Sequence, residues 1–235
     1  MKVALIGYGK MGKAIEEVLH ERGHEVVARF TSDGIDQDLL STADVAIEFT
    51  LPEAAVANMK QCFDLQVPVV VGTTGWQNQA EEIYQHCEKT FGAMLPASNF
   101  SLGVNIFFEI NRQLARIMNS QKQYDLSVEE IHHTEKKDAP SGTAITLAED
   151  ILQEVDRKSE WELASHSNGE KLAIEAKREK DVHGTHIIKY ASAIDDIEIK
   201  HVAHNRKGFA LGAVLAAEFL QGKTGIYTMK DVLNI

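Results

Sequence analysis

Long apolar runs are missing from this chain: none approaches the roughly 20 residues a helix needs to cross a bilayer, so a membrane span is excluded. Cysteine is nearly missing too. The two present, Cys62 and Cys87, fall in predicted helices without a partner motif, which argues against a disulfide framework and for thiols within a core. A cytosolic redox setting fits that usage. Basic charge is in deficit, 24 Lys plus Arg against 35 Asp plus Glu, a formal net of -11. Such a surface repels polyanions, which makes nucleic acid a poor partner. A small anion is still admissible, because His132 to Lys137 and His201 to Lys207 are locally basic. MKVALIGYGKMG runs into polar residues without a signal-peptide cleavage pattern, so the expected location is the cytoplasm. With 235 residues, 44% of them hydrophobic, the chain has enough apolar side chains for a sizeable core and one or two domains.

What is present begins with Lys2 to Ile6, a short apolar strand entering Gly7-Tyr8-Gly9-Lys10-Met11-Gly12. The glycines have GxGxxG spacing, and Ala14, Ile15, Val18 and Leu19 follow at helical spacing. A dinucleotide site asks for this order. The first glycine makes a tight turn, the second admits the diphosphate, the third lets helix and strand pack, and the helix N-terminus faces negative charge. The alternative is a structural turn only. The next strand, Val26 to Phe30, is expected to end at the adenosine ribose. An NAD-restricted site usually places Asp or Glu there. This chain has Arg29, Phe30, Thr31 and Ser32, with Asp33 only afterwards. Arg29 is thus a candidate for the adenine face or a 2′-phosphate, or else a surface residue, and NADPH is expected to serve at least as well as NADH.

Asp44 to Phe49 reads as a third strand leaving through Thr50, with Pro52 opening a helix that runs to Leu65. Val67 to Val71 is a β-branched strand ending in Gly72-Thr73-Thr74-Gly75, small residues at a strand's C-terminal end, where ligands of open α/β sheets collect. It could equally be a plain turn, with Trp76 as packing. A helix to Glu88, a strand near Phe91 to Leu95 and the segment Pro96 to Ser101, which fits neither pattern, complete this part.

Leu102 to Met118 has apolar side chains at helical spacing, and Tyr124, Leu126 and Val128 alternate as a strand delivering Glu129 to His133. Neighbouring strand residues point opposite ways, so His132 and His133 are expected to have separate duties. The run EEIHHTEKKDAPSGTA joins imidazole, which exchanges a proton near neutral pH, to an ammonium at Lys136 that can hold an anion or protonate a nitrogen. Acid chemistry on an anionic substrate needs both. Thr143 and the backbone N–H groups after Gly142 open a helix, a place that binds carboxylates or phosphates. The bland alternative is a strand end and a solvated turn. Asp156 to Glu170 is a polar excursion around Trp161. Lys171 to Arg178, Thr185 to Ala191 and Asp195 to Val202 are three further strands, and Phe209 to Leu220 and a short terminal segment are helical. His183, His186, His201 and His204 are read as sheet residues, and no spacing suggests a metal site.

HHTEKKDAPSGTA resembles the signature of the dihydrodipicolinate reductase family, and EFTLPE, GTTGW, PASNFS, HVAHNRKGFALGA and the Gly225 to Leu233 tail resemble its other segments, covering roughly the whole chain. Glu48 where the family usually has Asp, and Glu179 and Lys180 where a glycine is common, are departures. The resemblance implies an α/β chain: a Rossmann-type dinucleotide-binding domain at 1–100, a second α+β domain on an open mixed sheet at 101–206, and a return to the first domain at 207–235, with Arg206 near the second hinge. Two adjacent hinges suit a cleft that closes on its ligands. It implies NADPH- or NADH-dependent reduction, without a metal, of 4-hydroxy-tetrahydrodipicolinate, a small dicarboxylate of the diaminopimelate and lysine pathway. His132 is then the proton donor and Lys136 its partner. His133, Lys136, Ser141, Gly142 and Thr143 hold the substrate carboxylates. Gly7 to Gly12, Arg29, Phe49, Thr50, Gly72, Thr73, Thr74, Ala97, Asn99 and Phe100 hold the cofactor. A homotetramer through the second-domain sheet is also implied. Two alternatives stay open: another two-domain imino- or amino-acid dehydrogenase, and a dinucleotide-binding regulatory protein without turnover.

Overall fold

A computed structural model describes every residue except Asn168 and Arg206, so the place expected for Arg206 lies outside the described residues. The chain forms two compact units, Met1–Leu102 with Lys207–Ile235, and Gly103–Arg206.

The first unit opens with β1 (Lys2–Ile6), α1 (Lys10–Glu21) and β2 (Glu25–Phe30), then α2 (Gln37–Leu40), β3 (Val45–Glu48), α3 (Pro52–Asp64), β4 (Val69–Val71), α4 (Ala80–Lys89) and β5 (Ala93–Pro96). The second unit takes α5 (Leu102–Met118) from Gly103 onwards, β6 (Asp125–His132), α6 (Gly142–Glu154), β7 (Glu160–Leu163), β8 (Lys171–Arg178), β9 (Thr185–Ala191) and β10 (Asp196–Val202). α7 (Lys207–Leu220), β11 (Gly225–Ile226) and α8 (Met229–Leu233) belong to the first unit again.

In the first unit the strands lie in the order β11-β5-β4-β3-β1-β2, all parallel. The pattern follows from residue type: Val3 to Ile6, Val45 to Ile47 and Val69 to Val71 are apolar without alternation, as strands covered on both faces must be. Val3, Leu5, Val45, Ile47 and Leu95 face α1 and α7, while Ala4, Ile6, Ala46, Val69 and Met94 face α3 and α4. The chain reverses direction across the sheet between β1 and β3, so the crevice at their carboxyl ends is the place for a ligand.

The second sheet has the order β10-β9-β6-β8-β7 and is mixed, with β6 parallel to β8 and antiparallel to β9. Leu126, Val128, Leu172, Ile174, Ile188 and Tyr190 pack on one face against Ala144, Leu147 and Ile151 of α6 and Phe107 and Ala115 of α5. The α/β reading with a second mixed sheet therefore holds.

Three elements were not anticipated. The excursion around Trp161 contains β7, which pairs with β8 through Trp161 and Leu172. Its sequence Glu-Trp-Glu-Leu is half polar because an edge strand meets a neighbour on one side only. β11 has two residues, too few for a periodicity, and α2 is a single turn whose Asp36 side chain accepts from the Leu39 N–H.

Candidate active site

The turn after β1 is built by backbone crowding. Gly7 has φ +96°, and a Cβ on it would lie 2.0 Å from the Phe49 carbonyl oxygen; one on Gly12 would lie 2.3 Å from the Gly7 carbonyl oxygen. Only glycine fits either place. A Cβ on Gly9, the N-cap of α1, would meet nothing within 4 Å. The first turn of α1 carries no acid, so its unpaired N–H groups and dipole face open space.

Two clefts share Gly9, Phe49 and Thr50. One, of about 410 Å³, is lined also by Lys10, Met11, Gly72, Thr73 and Thr74. The other, of about 610 Å³, is lined also by Gly7, Tyr8, Thr31, Ser32, Gly34 and Asn58. Beneath them lies Glu48, fully buried. Its Oε1 accepts from the Thr50 N–H at 3.2 Å, from the Thr50 hydroxyl and from Asn58 Nδ2 at 3.4 Å. The same Thr50 N–H reaches Thr73 Oγ1 at 2.7 Å, so the exits of β3 and β4 are tied together. Burial pushes the Glu48 pKa up, and the hydrogen bonds from Thr50, Thr73 and Asn58 oppose it.

Arg29 does not line either cleft. Its guanidinium donates to Glu16 Oε1, through Nε at 2.9 Å and through Nη2, and sits 5.8 Å from the centre of the Tyr8 ring. Tyr8 also donates to Glu16. The hydrogen bond from Arg29, with help from Tyr8, holds the Glu16 carboxyl down at about 2. Ala97, Asn99 and Phe100 follow β5 and are likewise outside the lining of the two clefts. Phe100 is buried, 5.8 Å from the Phe49 ring, and the Asn99 side chain accepts from the Ser101 N–H at 2.9 Å. Gly12 serves packing.

The second unit holds a buried polar cluster. Along β6 the inward positions are Leu126, Val128, Glu130 and His132, so the strand's apolar face ends in two ionisable groups. Register places Glu130 opposite His186 on β9 and His132 opposite Arg178 on β8. Glu130 is 0% exposed. Its Oε2 accepts from the Ser141 N–H at 3.0 Å, and its Oε1 from Arg178 Nη1 and Nη2 at 3.2 and 3.3 Å. His132 Nδ1 stands 3.5 Å from Oε2, and His186 Nε2 stands 3.9 Å from Oε2 and 3.3 Å from Ser141 Oγ. Burial lowers the His132 pKa, while the Glu130 charge pulls it back up. Burial, with His132, His201 and Lys136 adding to it, lowers that of His186 to about 3.

Ser141 caps α6 by accepting from the Ala144 N–H at 3.2 Å, which leaves Gly142 and Thr143 as the opening turn. Lys136 Nζ donates to both oxygens of Asp138 at 2.8 Å, and Arg178 Nη2 reaches the Asp138 carbonyl at 2.6 Å. His133 points elsewhere, as strand alternation requires. It lines a cleft of about 230 Å³ with Glu135, Asp181, Val182 and His183. The structure thus groups His132 and Ser141 around one carboxylate and sets His133 apart.

Glu130, His132 and His186 bring ligating atoms within 4.8 Å of one another. Both Glu130 oxygens already accept hydrogen bonds, and the Arg178 cation lies on one of them, so a divalent ion would have to displace it. We read the trio as a buried proton site, the carboxylate held by Arg178 and Ser141 and facing the two imidazoles through charge. Glu130, Arg178, Glu48 and Glu16 were missed as site residues. A charged residue at an inward strand position was a visible signal for Glu130; Glu16 gave none, because its partner comes from another element.

Comparison with known proteins agrees along the whole chain. Residues 1–100 match the family described as dihydrodipicolinate reductase, N-terminus, and residues 103–233 the one described as dihydrodipicolinate reductase, C-terminus. The 4-hydroxy-tetrahydrodipicolinate reductase of Christiangramia forsetii is 49% identical over 235 residues, covering 100% of this chain and 98% of that protein. The protein of that name from Methanosarcina barkeri is 34% identical and is covered over 100% of both chains. A dipicolinate-bound dihydrodipicolinate reductase from a Paenisporosarcina species shares the fold, with a TM-score of 0.81 at 21% identity over 97% of each chain. With both halves matched in order and a relative aligned end to end, the chain belongs to the dihydrodipicolinate reductase family.

Proposed function

We propose that this chain catalyses the NAD(P)H-dependent reduction of 4-hydroxy-tetrahydrodipicolinate to tetrahydrodipicolinate, with loss of water, in the diaminopimelate and lysine pathway. The observation that carries this reading is the end-to-end relationship to a reductase of that name at 49% identity.

The residues of the first unit fit a dinucleotide. Open space before Gly9 and the α1 N-terminus suits a diphosphate, and Phe49, Thr50, Gly72, Thr73 and Thr74 give it walls. Bound there, a reduced nicotinamide supplies hydride. Both nucleotides are expected to serve, because the larger cleft has Thr31, Ser32 and Gly34 beyond β2 and no acid to repel a 2′-phosphate. Ala97, Asn99 and Phe100 are assigned to the cofactor on the family pattern alone.

In the second unit the residues divide their labour. His132 gives a proton as negative charge develops on the reduced substrate, and Lys136 neutralises that charge. For Lys136 to act, its ammonium leaves Asp138 for the substrate. Ser141, Gly142 and Thr143 offer a helix N-terminus to one carboxylate, and His133, which lines the separate cleft with His183, is assigned to the other on the family pattern alone. No metal is assigned. The face of the second sheet turned away from α5 and α6 carries Ile131 and Ile187 among ion-paired Glu129, Lys177 and Lys189, and the adjoining turn exposes Ile194 at 87%. We assign this face to self-association as a homotetramer.

The test is direct. Purified protein, freshly formed product of the aldolase that condenses pyruvate with aspartate semialdehyde, and either reduced nucleotide are mixed, and nicotinamide absorbance is followed. Substrate-dependent loss is expected with both nucleotides. Folded protein that binds the dinucleotide and turns over neither would overturn the assignment.

A further inference from the structure

We propose that Glu130 is a positioning residue for the reduction: its buried carboxylate turns His132 so that Nδ1 faces it and Nε2 carries the working proton, while fixing the Ser141 backbone at the start of α6. The proposal rests on the reading of His132 as proton donor.

A fully buried carboxylate is costly. Taking such a charge out of water costs several kcal/mol per ion even after relaxation, and an apolar residue of similar volume often does as well for stability. The two inward residues that precede Glu130 on β6 are Leu126 and Val128, so the strand does not itself require a polar group there. Yet each oxygen of Glu130 has an assignment: Oε1 takes the Arg178 fork, and Oε2 takes the Ser141 N–H and faces His132 Nδ1.

The 3.5 Å between Nδ1 and Oε2 is longer than a hydrogen bond, and it sets orientation through charge. Catalytic contacts of this kind often tighten only when substrate is bound. Across the ring, a Cβ on Gly184 would lie 3.2 Å from Nε2, so the glycine keeps that edge clear. An anion beside Nδ1 favours the tautomer with its proton on Nδ1, which leaves Nε2 as the site that gains and gives a proton.

The same carboxylate keeps a buried imidazole able to charge. The charged and titratable groups facing His132 are Glu130 on its own strand, Lys136 and Asp138 in the following loop, Arg178 on β8 and His186 on β9. His186 is neutral near pH 7. Without the Glu130 charge, two cations would face one remaining anion, and protonated His132 would be disfavoured.

The experiment follows the His132 ring by NMR in the full-length protein, wild type and Glu130→Gln, beside the pH dependence of kcat and KM. In Glu130→Gln the His132 midpoint should fall by about one pH unit, within the range for losing an opposite charge at this distance. At neutral pH kcat should fall about tenfold, with KM changing less, and the limb of log kcat should move with the NMR midpoint. A merely structural role would lower stability and leave the midpoint in place; that result in folded, active protein overturns the proposal. Should Glu130→Gln not fold, ring nitrogen shifts of wild-type His132 decide the matter: the Nε2–H neutral tautomer overturns it, and the Nδ1–H tautomer supports it. Wild type without turnover would instead overturn the reductase reading.

Discussion

Glu16 decides what Arg29 can offer a nucleotide. The guanidinium is bound to a carboxylate that stays ionised down to about pH 2, so it meets a 2′-phosphate already partnered. Glu16→Gln removes the competing charge and should raise the kcat/KM ratio of NADPH over NADH roughly threefold to tenfold, since a partly exposed pair of this kind is worth about 1 kcal/mol. An unchanged ratio in steady-state assays would mean that Arg29 stays clear of the nucleotide. The run Arg-Phe-Thr-Ser showed that no acid stands at the end of β2 before Asp33, but it could not show this pairing, which needs α1 and β2 side by side. His132 and Lys136 were legible from their chemistry. His132→Gln should lower kcat by about 10²–10⁴ with folding intact, the usual worth of a general acid. Lys136→Ala should lower kcat and weaken substrate binding together. A kcat within about threefold of wild type for His132→Gln would remove it from the reaction.

At the scale of elements, the glycine turn separates packing from binding. A methyl at Gly12 would strike a backbone oxygen, whereas one at Gly9, where φ is -85°, would strike nothing in the protein. Gly9→Ala should therefore change stability by no more than about 0.5 kcal/mol in chemical unfolding. Nucleotide affinity should fall at least about tenfold by titration, because the added methyl stands where a diphosphate approaches the α1 N-terminus. Unaltered affinity would move the diphosphate elsewhere. Long apolar or amphipathic stretches such as Leu102 to Met118 and Lys171 to Arg178 were readable because burial of one face or both leaves a period in the sequence. β7 and β11 left none: one is a half-polar edge strand, the other only two residues whose Gly225 and Ile226 pair with β5. Glu130 had a legible place, an acid at an inward position of β6, but Arg178 and His186 reach it from strands distant in sequence and Ser141 from the cap of α6.

At the scale of the molecule, the open face of the second sheet should associate, and sedimentation at micromolar concentration should show a tetramer; a monomer would remove that assignment. Acid stability tests the buried cluster independently of assembly contacts, provided wild type and variant are compared at one concentration. His186 faces Glu130, His132, Ser141, His201 and Lys136, and its folded pKa of about 3 lies below the ordinary 6.5. Between those values the unfolded chain takes up a proton that the folded chain refuses, so stability rises with pH. It is fully present above pH 6.5 and is lost as pH falls towards 3. The slope from one such group is at most about 1.4 kcal/mol per pH unit. Glu16 acts in the same direction but lower, between its ordinary 4.5 and about 2, so of the two only His186 acts between pH 6.5 and 4.5. Urea midpoints of His186→Gln should be flatter than those of wild type from pH 6.5 down to about 3, most cleanly above 4.5 where Glu16 adds no slope to either, and parallel to them only below about 3. Equal slopes in the upper window would show that His186 is protonated in the folded protein, and with a second cation beside His132 the Glu130 carboxylate would no longer serve one imidazole alone.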